Sequence, residues 1–190
     1  MARAVCPRCE RPARTCLCAD LPPPVATATE LLVLQHPAEA GHAKNTVPLL
    51  TLGLQRARCL RGEVFPAAVA SPGAALLYPG EGPGGDLGAV RQLILLDGSW
   101  RQSRRLLSGN PWLLALPRVS LPVQPSRYCM RRAHRPGELS TLEAGLLALA
   151  SLEGQPERFA PLWAAFDRFV ARELARRPQA QVQAPLPQTC

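Results

Sequence analysis

Apolar residues along this chain come in short continuous runs through its first two thirds and at three- and four-residue steps towards its end. The runs Glu30 to Gln35 (ELLVLQ), Ala74 to Tyr78 (AALLY), Leu93 to Asp97 (LILLD) and Arg118 to Leu121 (RVSL) are bounded by turn residues and predict core strands. A helix is predicted from Thr46 to about Arg58, with Thr46 as its cap and Pro48 in the first turn, where no amide hydrogen bond is lost. Ser99 caps a second helix that runs to about Ser108 and stops at Gly109. Ser140-Thr141-Leu142-Glu143 matches a capping box and opens a third helix to about Leu152. The last helix covers Glu157 to Arg176, where Phe159, Leu162, Trp163, Phe166, Phe169, Val170 and Leu174 form a core-packing stripe. Strands alternating with helices predict an α/β domain, a mostly parallel sheet with helices on both faces. No GxGxxG follows the first strand, so an ordinary dinucleotide-binding fold is not signalled.

Composition adds an organisation. Residues 1–24 are rich in cysteine and end in Pro22-Pro23-Pro24, residues 25–177 carry the periodic elements, and residues 178–190 have no periodicity and read as a disordered tail. The formal net charge is +8, and between Asp97 and Glu138 there are eight arginines and no acidic residue. A single-sign stretch of that size suits a polyanion, because neutralising phosphates releases condensed counterions. No apolar run is long enough to span a bilayer, and a soluble, cytoplasmic protein is expected.

Cys6-x2-Cys9-x6-Cys16-x-Cys18 offers four thiolates, enough to close a tetrahedral site around Zn2+ with no position left for substrate; the alternative is four reduced thiols. A segment so poor in apolar residues would draw its folding energy from the metal. Cys59 and Cys129 stand alone and read as buried small residues. The remaining chemistry gathers where the third strand ends, at Asp97-Gly98-Ser99-Trp100. In open α/β sheets ligands bind at the carboxyl ends of strands. Arg101, Arg104 and Arg105 follow on the helix.

The segments CPRCERPARTCLC, LQHPAEAGHAKNT, LLYPGEG, LLDGSW and RYCMRRAHRPGELSTLEA, in this order, resemble those of DTW-domain proteins, the tRNA-uridine aminocarboxypropyltransferases. The likeness covers about residues 6–150, with Ser99 where the family name places Thr and Cys129 where a polar residue is usual. The resemblance implies a SPOUT-like fold with a C-terminal trefoil knot. It implies S-adenosylmethionine as donor of a 3-amino-3-carboxypropyl group, methylthioadenosine as product, and as acceptor the ring imide nitrogen of a tRNA uridine, usually in the variable loop.

Under that reading Asp97 is either the base that serves the weakly nucleophilic imide or the group that holds the donor's amino group, and Trp100 either stacks on a base or on the donor's adenine or simply packs. Leu77, Tyr78, Pro79, the Leu95-Leu96 backbone, Gly98 and Leu121 are expected to wall the donor pocket. Ser140, Thr141 and Glu143 are either plain caps or donors to the donor's carboxylate. Arg101, Arg104, Arg105, Arg131, Arg132 and His36 are expected towards RNA; Asn45 and Thr46 are acceptor-side candidates whose default is helix capping. Two other readings use the same residues: a SPOUT-type RNA methyltransferase, and a zinc-containing RNA-binding module without catalysis.

Overall fold

A computed structural model describes residues 4–42, 44–80, 83, 86–128 and 138–176. Strands β1 (Glu30–Gln35), β2 (Ala57–Arg61), β3 (Ala74–Leu77), β4 (Gln92–Asp97) and β5 (Arg118–Val119) form one sheet in the order β2-β1-β4-β3-β5, and every pairing is parallel. Helices α1 (Val47–Gly53), α3 (Thr141–Glu153) and α4 (Ala160–Ala175) cover one face, and α2 (Trp100–Gly109) covers the other. Side chains alternate accordingly: Leu31, Val33, Leu93 and Leu95 join the larger apolar cluster with α1, α3 and α4, while Leu32, Leu34 and Ile94 meet Leu106 and Leu113 on the α2 side. A parallel sheet covered on both faces needs such continuous apolar strands, which is why β1 and β4 are plain in the sequence.

Two expectations are corrected. The helix that begins after Thr46 ends at Gly53 rather than near Arg58, and residues 57–61 form β2 instead. As an edge strand β2 has only partial cover, and its sequence ARCLR carries no apolar run that would announce it. Thr46 does not cap α1; its hydroxyl accepts from the amide of Leu142 on α3, 3.3 Å away, and the turn before α1 is closed by Asn45, whose Oδ1 accepts from Val47 N at 2.7 Å. The final helix starts with a 3-10 turn, Pro156–Phe159, before α4.

The cysteine-rich segment packs into the molecule. Cys9 and Leu17 are buried in the larger apolar cluster. Arg11 is buried too: its Nε donates to Thr15 O at 2.9 Å, its Nη1 to Asn45 O at 2.8 Å, and its guanidinium lies 4.8 Å from the Phe169 ring centre. Arg172 pairs with Asp20, and Arg176 donates to Arg14 O, so α4 holds the segment from below. Among the described residues no helix is long and apolar enough to cross a membrane.

Candidate functional site

The chain leaves β1 towards α1 on one face and leaves β4 towards α2 on the other, so a crevice opens between the carboxyl ends of these neighbouring strands. Gln35 and Asp97 are the register partners that face each other there. By alternation both side chains lie on the α1/α3 face. Asp97 is 5% exposed, and each of its carboxylate oxygens has a donor: Gln35 Nε2 to Oδ2 at 2.9 Å and Thr141 Oγ1 to Oδ1 at 2.5 Å. Gln35 Oε1 in turn accepts from Arg61 Nε at 3.2 Å, and Arg61 pairs with Glu10 of the cysteine segment. A continuous polar chain therefore runs from that segment through Arg61, Gln35 and Asp97 to the first residue of α3. Gly98 permits the turn that follows, because a Cβ there would lie 2.8 Å from Gln102 Cβ.

The sequence places Asp97 beside Trp100; the fold gives the two side chains different partners. Trp100 is 45% exposed, meets Tyr78 edge-on with ring centres 5.9 Å apart, and donates through Nε1 to Glu138 Oε1 at 3.0 Å. Asp97 is thus desolvated by Gln35 and α3 rather than by the indole. Arg118 lies over the Tyr78 ring, 5.3 Å from its centre, with Nε and Nη1 buried and without a hydrogen-bond partner among the described residues. Burial raises the Tyr78 phenol above its usual value against the pull of Arg104 and Arg118. Arg101, Arg104 and Arg105 are exposed on α2, whose start is closed by a capping box between Ser99 and Gln102.

Other expected residues are placed as follows. Leu77 and Leu121 are half-buried against the larger cluster, Pro79 is exposed at the end of β3, Leu96 is half-buried on the α2 side, and Leu95 is 2% exposed beneath α3. At the start of α3 the amide of Leu142 is taken by Thr46 and that of Glu143 by Ser140 Oγ at 3.3 Å, so the first turn keeps little capacity for an anion. The buried Glu143 carboxylate accepts from Ser140 N at 2.8 Å, Ser126 Oγ at 2.8 Å and Arg127 N at 2.5 Å, which ties residues 126–127 to the helix. His36 is buried, with Nδ1 accepting from Ala38 N at 3.2 Å and Nε2 beside Glu63 at 3.1 Å. Its ring therefore faces protein rather than an open surface. Arg131, Arg132 and Cys129 lie outside the described residues, as does the segment 178–190.

The sulfurs of Cys6, Cys9, Cys16 and Cys18 all lie within 4.8 Å of one another, with Cys6–Cys18 and Cys9–Cys16 each 3.8 Å apart. Zinc–sulfur bonds of about 2.3 Å in a tetrahedron give a sulfur–sulfur edge of about 3.8 Å, so the cluster fits a closed four-thiolate metal site. Amides of Cys9 and Arg8 directed at Cys6 lower its thiol to about 6, whereas burial pushes the Cys18 thiol up to about 12. Four thiolates this close need a divalent cation to coexist.

Beside this cluster a cavity of about 430 Å³ opens between the cysteine segment, α1 and the carboxyl ends of β1 and β2. Gln35, Arg61, Arg8 and His42 are among its polar lining, and Val47, Pro48 and Leu60 give it an apolar wall. It lies on the opposite side of Asp97 from Tyr78 and Leu121 along the sheet order. Sequence reasoning singled out neither Gln35 nor Arg61. Gln35 ends the first strand at the same level as Asp97, a signal readable once the two strands are known to be neighbours; Arg61 carried none, because β2 itself was hidden.

Residues 3–174 match the model of the DTW domain. The chain is 36% identical over 174 residues to tRNA-uridine aminocarboxypropyltransferase 2 of Drosophila melanogaster, spanning 82% of this chain and 69% of the fly protein. It is 33% identical over 171 residues to the protein of that name from Mus musculus and 31% identical over 170 residues to that from Macaca fascicularis, in each case over 80% of this chain and 57% of the relative. The chain thus spans little more than half the length of the mammalian relatives. No solved structure matches it. A domain match across nearly the whole described fold, with relatives aligned over four fifths of the chain, means that this protein belongs to the DTW-domain family.

Proposed function

We propose that this protein transfers the 3-amino-3-carboxypropyl group of S-adenosylmethionine to the ring imide nitrogen of a uridine in tRNA, in the variable loop, and releases methylthioadenosine. The observation that carries this reading is Asp97, buried at the β1/β4 crevice with a donor on each oxygen, in a chain whose curated relatives are named for this transfer. Gln35 and Thr141 fix the carboxyl group through one hydrogen bond on each oxygen, and each oxygen keeps a lone pair for the imide N–H. The donor supplies an electrophilic carbon bonded to a sulfonium. A bond forms from the imide nitrogen to that carbon as the carbon–sulfur bond breaks; the electron pair stays on sulfur and the imide proton passes to Asp97 and then to solvent.

Leu77, Tyr78, Pro79 and Leu121 stand at the β3–β5 end of the edge, with Leu96 and Gly98 beside them at β4, and suit the donor side. Thr141 holds Asp97, while Ser140 and Glu143 set the start of α3. Arg101, Arg104 and Arg105 give RNA a phosphate-binding surface, and Arg131 and Arg132, outside the described residues, serve RNA as well. Zinc in the four-cysteine site completes the protein, the C-terminal part is threaded as a trefoil knot, and a tRNA-modifying role fits the cytoplasm. The test is incubation with unmodified tRNA and S-adenosylmethionine, followed by nucleoside mass spectrometry. Methylthioadenosine with aminocarboxypropyluridine is expected. S-adenosylhomocysteine would make the protein a methyltransferase, and tRNA binding with neither product would make it a binding module.

A further inference from the structure

We infer that the cavity beside the cysteine cluster receives the acceptor uridine, and that Gln35 reads the imide edge of its base. This rests on the transfer reading above and adds the place of the acceptor and the residue that selects uracil. An imide nitrogen lies on the pairing edge of the base, so the nucleotide must leave its stack and present that edge to a pocket. The cavity volume of about 430 Å³ suits one nucleoside, within the 300 to 1,000 Å³ range of small-ligand sites. Its apolar wall of Val47, Pro48 and Leu60 can lie against the ring faces, and Arg8 and Arg61 stand where a flanking phosphate would pass.

The selectivity comes from Gln35. A carboxamide has two N–H donors and two acceptor lone pairs; Asp97 takes one donor and Arg61 Nε fills one lone pair, which leaves one of each. Gln35 lines the cavity, and its Nε2 with Asp97 Oδ2, 2.9 Å behind it, forms an adjacent donor and acceptor at that end. Uracil presents the matching order, a carbonyl beside an N–H. Cytosine presents the reverse, an unprotonated ring nitrogen beside an amino group, and would set a lone pair against the carboxylate. A site built to pair polar groups rejects a base that leaves them unpaired. Strand order is compatible with this: the cavity sits at β1 and β2 and Asp97 at β4, so a donor held by the residues proposed for it at β3 and β5 would let nucleophile and leaving group approach from opposite sides, as a displacement at carbon requires.

The test uses the full-length, metal-loaded protein and tRNA transcribed with sparse 4-thiouridine. Irradiation of the complex is expected to link the RNA to peptides containing residues 8–11, 45–52 or 59–61. In parallel, Thr51→Trp, which fills the cavity from α1, and Gln35→Glu, which replaces both amide donors, the free one and the one on Asp97, with an acceptor, are expected to lower transfer on the order of tenfold or more, with S-adenosylmethionine affinity by calorimetry within about twofold of the parent. Should Gln35→Glu fail to fold, Thr51→Trp and the cross-links decide alone. Cross-links confined to residues 78–80, 100–105 and 118, or parental turnover in Thr51→Trp, would overturn the assignment. If the parent makes methylthioadenosine but links elsewhere, the cavity assignment fails and the transfer reading stands; if it makes none while linking at the cavity, the transfer reading fails instead.

Discussion

Asp97 shows how far one residue's role depends on its neighbours. Its carboxylate has two fixed donors, so Asp97→Asn keeps the volume but turns an acceptor into a donor facing another donor. Transfer should fall on the order of a hundredfold or more, the scale of a lost general base, with fold and bound metal retained. Donor affinity, measured by calorimetry, tells the two roles apart: it stays at the parental value if Asp97 serves the imide and weakens by a comparable factor if Asp97 holds the donor's amino group. Parental turnover in the Asn variant would reduce Asp97 to a turn residue. Cys59 makes a second case. Burial first and the nearby Asp97 charge second raise its thiol to about 11, so at neutral pH it stays protonated in the folded state. Peptide mapping after iodoacetamide at neutral pH should find Cys59, half-buried in the cavity wall, labelled more slowly in native protein than after denaturation, because its thiol stays protonated; equal rates in both states would contradict that.

Among the elements, α3 carries the most responsibility, since it holds Asp97 through Thr141 and residues 126–127 through Glu143. Glu143→Ala strands the buried Ser140 N–H, which costs about 1–3 kcal/mol, and leaves the part-buried Ser126 hydroxyl and Arg127 N–H to water, so a loss of about 2 kcal/mol or more is expected in urea unfolding. Ser140→Ala, which removes only the cap, should cost about 1 kcal/mol. If the two variants lose the same amount, Glu143 is no more than a cap. The seam between α1 and α4 is equally tight: a Cβ on Gly53 would lie 2.2 Å from Leu162 Cδ2. Gly53→Ala should therefore destabilise by about 1–3 kcal/mol despite the better helix propensity of Ala.

For the molecule as a whole, the cysteine segment is part of the core and of the polar chain that ends on Asp97. Removing the metal with a chelator should lower the melting temperature and also weaken transfer, because Arg61 and Gln35 lose the Glu10 anchor and the cavity loses a wall. A melting curve unchanged by chelation would show that the thiols hold no ion. Binding of tRNA should weaken steeply with salt through Arg101, Arg104 and Arg105, and a flat dependence would exclude a phosphate surface there.

The elements with strong local signals were legible without the fold. The apolar runs of β1 and β4, the cap at Ser99, the capping box at Ser140, the aromatic stripe of α4 and the spacing of the four cysteines follow from short-range chemistry, and the structure has each of them where the residues put it. The position of Asp97 at a strand end was equally plain. What tertiary structure decided is what depends on which strand lies beside which. β2 exists because β1 offers it an edge, not because ARCLR favours extended backbone. Thr46 caps α3 rather than its own helix, and Asp97 is buried by Gln35 and Thr141 instead of Trp100. Hydrogen bonds between residues 62 and 96 positions apart are set by packing of distant elements, and no local pattern of the chain encodes them.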